Sequence, residues 1–136
     1  MHTPYDRVEI VDLFNRHQIY IDLKDAERYA SIYALDGLYE SSFATARGTA
    51  ALIAMSRELG TSGFSNDKRH FTGPMLIEID GDRATALSYW WVADYSKNQP
   101  TVFATGTYRD TLSKINGQWS IVHRVQEQDS PESAEE

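Results

Sequence analysis

The chain has 136 residues, 41% hydrophobic and 12% aromatic, enough for one domain with a real core and too few for two. It contains no cysteine, which excludes disulfides, thiolate nucleophiles and cysteine metal sites and fits a reducing cytoplasm. A formal charge of −7 and a mean hydropathy of −0.49 offer neither a basic surface for nucleic acid nor a long apolar run for a membrane span.

The segment Met1-His2-Thr3-Pro4-Tyr5-Asp6 has no basic region followed by an apolar stretch, so it does not read as a signal peptide. Thr3 is placed to cap a helix, with Pro4 at its first position and acids in the first turn. Ile10, Phe14, His17 and Ile21 recur at helical spacing and define an inward face. Asp25 is expected to cap a second short helix running to about Tyr33. Asp36-Gly37 marks a turn, and Leu38 to Phe43 reads as a short strand. Thr49 is the expected cap of a third helix over residues 50–59, stopped by Gly60. A Gly/Ser/Asn loop follows to Asp67.

From His70 onward the pattern is strand, over residues 70–79, 84–95, 101–112 and 118–125. The connections are Asp80-Gly81-Asp82, the loop Lys97-Asn98-Gln99-Pro100, and a tight hairpin at Asn116-Gly117. Pro74 cannot donate to a ladder, so a bulge or sheet edge is expected there. The implied fold is α+β: a cone-shaped, curved antiparallel sheet wrapped around the long N-terminal helix. Residues 1–125 form this single domain, and residues 126–136 read as an acidic, disordered tail. Five acids and no Lys or Arg follow Arg124, leaving 13 basic against 15 acidic residues in the folded part. The acidity therefore belongs to the tail.

His70 and Thr72 share one side of their strand, opposite Arg69 and Phe71, and by alternation share it with Pro74 and Leu76. If that side is concave, the imidazole enters a pocket as a general acid or base; otherwise His70 is an ordinary strand histidine. Asp22 stands at the C-terminal end of the first helix, where the helix dipole disfavours an acid unless something holds it. Asp25 is accounted for as a cap, and Asp22 is either a solvated charge or, close to the inward stripe, a buried candidate partner for His70. His17 lies on the apolar stripe, as a packed core group or a pocket wall. Asp94 shares a face with Trp90 and Val92 and is a second candidate pocket acid. His123 alternates with Trp119 and Ile121 and reads as structural. No HxxxH, HxH or HExxH spacing is present, so no metal site is expected. Trp90 and Trp91 face opposite sides of the sheet, so both sides must be covered; a homo-oligomer, dimer or trimer, would cover the outer one.

Four stretches together resemble a known family: Tyr20-Ile21-Asp22-Leu23-Lys24-Asp25 with Tyr29 to Gly37; Arg69-His70-Phe71-Thr72-Gly73; Ile79-Asp80-Gly81-Asp82-Arg83-Ala84; and Gly106-Thr107-Tyr108-Arg109-Asp110 running to Gly117-Gln118-Trp119-Ser120-Ile121. Over residues 5–125 the chain is similar to SnoaL-like members of the nuclear transport factor 2-like superfamily, in the subgroup of scytalone dehydratase and hexachlorocyclohexane dehydrochlorinase. The resemblance implies an Asp22–His70 dyad in which His70 abstracts a proton beside a leaving group, and it implies no cofactor. It also brings Asp94 and Arg124 near positions where relatives place further pocket groups. This chain departs from the family at His17 and Ile21, where tyrosines are common; Tyr20 or Tyr39 is the candidate replacement that would polarise a substrate. The expected function is a cofactor-independent lyase or isomerase of dehydratase type, acting on a small, hydrophobic, cyclic molecule. The alternative is a non-catalytic ligand-binding or scaffold domain of the same fold.

Overall fold

The computed structural model describes residues 3–131. In chain order the elements are α1 (Asp6–Asp22), α2 (Ala26–Ser31), β1 (Tyr33–Glu40), β2 (Thr45–Arg47), α3 (Thr49–Thr61), a 3-10 turn (Phe64–Asp67), β3 (Lys68–Asp80), β4 (Arg83–Asp94), β5 (Thr101–Ile115) and β6 (Gln118–Gln128). The strands form one curved six-stranded sheet in the order β2-β1-β6-β5-β4-β3, so the α+β expectation holds. All neighbours are antiparallel except β1 and β6, which run parallel. None of the described helices is long and apolar enough to cross a membrane.

The start of α1 differs from its expected form. Tyr5, not Thr3, is the residue before the helix, and it makes no side-chain cap bond. Asp6 does the work in reverse: its carboxylate accepts the Thr3 N–H at 2.6 Å, the Trp119 indole N–H at 2.9 Å and the Lys114 ammonium at 3.0 Å. These donors, the Thr3 amide foremost, hold the Asp6 carboxyl well below the usual carboxylate range. The buried Asp6 thereby ties the first turn of α1 to β5 and β6. Ile10 and Phe14, one and two turns on, are fully buried in the core with Leu112 and Ile121. Each such side chain contributes about 1.5–3 kcal/mol by leaving water.

Asp25 caps α2 as expected, its side chain accepting the Arg28 N–H at 3.1 Å. The residue that precedes α3 is Gly48 at φ +88°, with Thr49 already helical, and α3 passes through Gly60 to end at Thr61. Lys24 side-chain carbons line Gly60, so the exposed helix end is packed there in spite of the glycine. The first strand starts five residues earlier than expected, at Tyr33, because it pairs with β6 from Ile121 onward; the three-residue β2 follows it. Asn116 and Gly117 both have positive φ, 53° and 79°, as a two-residue hairpin loop requires.

The bulge expected at Pro74 is present, as a register shift between Thr72 and Met75. It reverses the alternation after Thr72. Met75, Ile77 and Ile79 pack against the core, and Leu76, expected to share the side of His70, is 69% exposed instead. The outward face carries Phe71 stacked on Trp91 at 4.3 Å between ring centres, beside exposed Tyr89. The expected tail also starts too early: Gln126 to Gln128 belong to β6, opposite Tyr108, Thr107 and Gly106. Residues 132–136 lie outside the described residues.

Candidate active site

Between the inner face of the sheet and the helices lies a cavity of about 530 Å³. The first helix contributes His17 and Ile21, α3 contributes Met55, Ser56 and Leu59, and the β1–β2 connection contributes Ser41, Phe43 and Ala44. The sheet supplies Tyr39, His70, Trp90, Val92, Phe103, Tyr108, Gln126 and Gln128. The walls are mostly apolar with a few polar atoms, the composition of a small-molecule pocket.

Asp22 is the last residue of α1, and His70 is near the start of β3. Asp22 Oδ1 lies 2.8 Å from His70 Nδ1, and both side chains are only 10% exposed. The same carboxylate accepts the backbone N–H of His70, at 3.2 and 3.1 Å from its two oxygens. The three contacts explain why an acid sits at the unfavourable end of a helix dipole. A carboxylate at Nδ1 fixes the proton there and leaves the lone pair on Nε2. His70 lines the cavity, and Nε2 has no hydrogen-bond partner among the described residues.

His17 is both core residue and pocket wall, 2% exposed. Gln18 Nε2 donates to the Phe71 carbonyl at 3.1 Å, so its Oε1 is an acceptor. That oxygen receives the His17 Nδ1–H at 2.9 Å and the Tyr108 hydroxyl at 3.3 Å. His17 Nε2 then accepts the Tyr33 hydroxyl at 3.4 Å, which in turn lies 3.3 Å from the Tyr29 hydroxyl. Burial, assisted by the nearby Arg124 cation, pushes the His17 pKa well below its ordinary value, so this ring is neutral. Burial likewise lifts the pKa of Tyr29 and Tyr33 and pushes Tyr108 up to about 12. The floor of the cavity is therefore a neutral hydrogen-bonded chain.

Arg124, expected as a pocket group, is sealed beneath that floor with no exposure. Its guanidinium makes two bonds to Asp110, at 2.7 and 3.1 Å, and lies 3.8 Å over the Tyr108 ring and 4.7 Å over that of Phe14. Burial works against its charge, but Asp110, Tyr33 and Tyr108 together raise its pKa. Asp94 is not a pocket acid. Its Oδ1 accepts the Ser96 N–H at 2.8 Å and the Ser96 hydroxyl at 2.6 Å, and Oδ2 is 3.8 Å from Lys68 Nζ. The slip at Val92/Ala93 puts its extra residue, Phe103, in β5, while β4 keeps its register with β3 as far as Asp94 opposite Lys68; as the last residue of its strand, Asp94 does not line the cavity. The Ser96 bonds, with Lys68, lower its pKa. Tyr20 is half-buried against the core and does not line the cavity, because α1 turns Ile21 inward. Tyr39 does line it, and its hydroxyl donates to Gln126 Oε1 at 2.6 Å. Gln126 was hidden in the polar stretch read as tail, although its strand pairing places it opposite Tyr108. Among the described residues no three His, Asp or Glu side chains converge as a metal site would require.

The model of the SnoaL-like domain family matches residues 4–125. The chain belongs to the SnoaL-like family. No curated protein sequence matches it. Among solved structures, this SnoaL-like domain is similar to a nuclear transport factor 2-like protein with a cystatin-like fold from Novosphingobium aromaticivorans, at 29% identity and a TM-score of 0.86, over 95% of this chain and 85% of that one. It is also similar to Rv3472, a protein of unknown function from Mycobacterium tuberculosis, at 29% identity and a TM-score of 0.84, over 96% and 80% of the two chains. A candidate scytalone dehydratase from N. aromaticivorans shares the fold at 19% identity, with a TM-score of 0.76 over 92% and 85%.

Proposed function

We propose that this SnoaL-like domain is a cofactor-independent lyase or isomerase of dehydratase type, acting on a small, hydrophobic, cyclic molecule. The observation that carries the reading is the Asp22–His70 contact at 2.8 Å on the wall of a mostly apolar cavity, with Nε2 unpartnered among the described residues. The fold it shares with a candidate scytalone dehydratase supports the same class of reaction.

In a dehydration His70 Nε2 takes a proton from a carbon next to a carbonyl. The C–H electrons form the new C=C bond, and the C–O bond to the departing hydroxyl breaks. The imidazolium returns its proton to that oxygen, which leaves as water, so no electrons enter or leave the system. Asp22 holds the ring and stabilises its cationic form during the transfer. Isomerisation uses the same first step and returns the proton to another carbon. The dry walls exclude competing solvent from the carbanion.

The test is turnover of a panel of cyclic β-hydroxy-ketones by the wild type and by the His70→Ala and Asp22→Asn variants. The reading requires turnover of at least one compound and its loss in both variants; equal turnover in all three proteins would sink it. Tight binding without turnover would assign a ligand-binding protein.

A further inference from the structure

The cavity has two polar ends. At one, on the edge strand β3, is His70; at the other, across β1 and β6, is the Tyr39–Gln126 pair. Two strands separate β3 from β6, and the register sets Gln126, level with Tyr108 and Ser88, four residues along the sheet from His70, level with Val92, so the two ends stand well apart. Between them the wall is mostly apolar, with Trp90, Val92 and Phe103 from the sheet and Met55 and Leu59 from α3.

Tyr39 commits the Gln126 amide to one orientation. Its hydroxyl occupies Oε1 at 2.6 Å, and Gln126 Nε2 has no hydrogen-bond partner among the described residues. Gln126 is partly buried and lines the cavity, so a ligand that covers it must satisfy that N–H₂ group or leave a donor dry. Tyr39 itself is 8% exposed and spends its proton on Gln126, so it is not the group that polarises a substrate.

We propose that Gln126 is a specificity-determining residue, whose Nε2–H donates to a carbonyl oxygen of the ligand lying along the cavity wall. This deepens the function proposed above and rests on the cavity being its binding site. The residue acts in ligand recognition, and Tyr39 is a positioning residue behind it.

Binding, read without turnover, tests this. The probes are α-tetralone and its hydrocarbon counterpart tetralin, titrated by calorimetry and by quenching of tryptophan fluorescence. Wild type is expected to bind the ketone about three- to tenfold more tightly, the range of one net hydrogen bond. Gln126→Leu should weaken the ketone to the level of tetralin and leave tetralin unchanged. Gln126→Glu, which presents acceptors only, should drop the ketone below tetralin. Tyr39→Phe frees the amide to rotate and should give an intermediate ratio, with the same melting temperature check applied to every variant. A wild-type ratio of one, or a ratio that survives in Gln126→Leu, overturns the proposal. Because no reaction is measured, these results stand apart from loss of turnover in the dyad variants.

Discussion

The Asp22 carboxylate holds His70 at two places, the ring Nδ1 at 2.8 Å and the backbone N–H at 3.1 Å. The end of α1 and the start of β3 are thus joined through the residue that would do the chemistry. Removing the imidazole removes only the base, whereas changing the carboxylate alters both the ring and the strand.

The dyad therefore predicts unequal variants. His70→Ala should lower kcat by about 10²- to 10⁴-fold, the usual contribution of a positioned base. Asp22→Asn should also lower kcat, and in addition lower the melting temperature, because an amide matches two N–H donors less well than a carboxylate. Steady-state kinetics and thermal melts on the same preparations check the pattern. A His70→Ala variant less stable than Asp22→Asn would contradict it.

Arg124 and Asp110 are a fully buried ion pair. Arg124→Met leaves the Asp110 carboxylate without a counter-charge and should cost about 3–5 kcal/mol in urea unfolding. Arg124→Met combined with Asp110→Leu should recover most of that loss, since no buried charge then remains. Failure of the double variant to recover would mean that stacking on Tyr108 and Phe14, not charge, is what Arg124 provides.

Buried, neutral His17 makes the fold sensitive to acid. Its folded pKa is depressed below the ordinary 6.5, first by burial and then by Arg124. The unfolded chain thus binds the proton more readily: stability is full above about pH 6.5 and is lost below it, by up to about 1.4 kcal/mol per pH unit. Urea titrations between pH 7 and 5 should show this slope in wild type and a shallower one in His17→Gln. Parallel slopes would place the acid sensitivity elsewhere.

At Gly106 a Cβ atom would lie 2.0 Å from the Glu127 carbonyl and 2.4 Å from Trp90 Cζ2. The backbone atom cannot retreat without breaking the β5–β6 pairing at Gly106 and Gln128. Gly106→Ala should therefore cost about 3 kcal/mol or more, the upper end of overpacking, and tilt the Trp90 indole into the cavity. Chemical denaturation measures the first effect, and a shift in Trp fluorescence the second. Gly73→Ala, whose Cβ would meet nothing nearer than 3.4 Å and whose φ is not in the left-handed region, is the comparison for the loss of glycine alone.

The parts of the site that sequence made visible are those governed by local periodicity. The α1 stripe put His17 and Ile21 on the cavity, and alternation over Arg69 to Thr72 put His70 there. Asp22 was legible as a candidate from its place beside the inward stripe, and the family resemblance singled it out as the partner of His70. Alternation failed where the ladder slips at Pro74, which turned Leu76 outward, and it could not show that Asp94, the last residue of β4, misses the cavity. Tyr20 failed for another reason, since neighbouring helix positions point about 100° apart and Ile21 already holds the inward direction. Gln126 looked like tail because its neighbours are polar, and only its cross-strand partner reveals it. Counting outward from the Asn116-Gly117 hairpin reaches Val125 opposite Tyr108; the register shift between Thr111 and Leu112 is what brings Gln126 there, and no local pattern announces it.

The parallel seam between β1 and β6 has a consequence for how the protein is made. The strand that closes the sheet is the last of the six to be synthesised, and it inserts between β1 and β5. Until then an emerging chain holds β1 and β2 apart from the β3–β5 meander, with two raw edges exposed. Pairings of such long sequence separation are slow to form and open to wrong partners. The cavity is therefore a late product of folding: the Tyr39–Gln126 contact joins the first strand to the last, and binding at that end begins only when the chain has closed on itself.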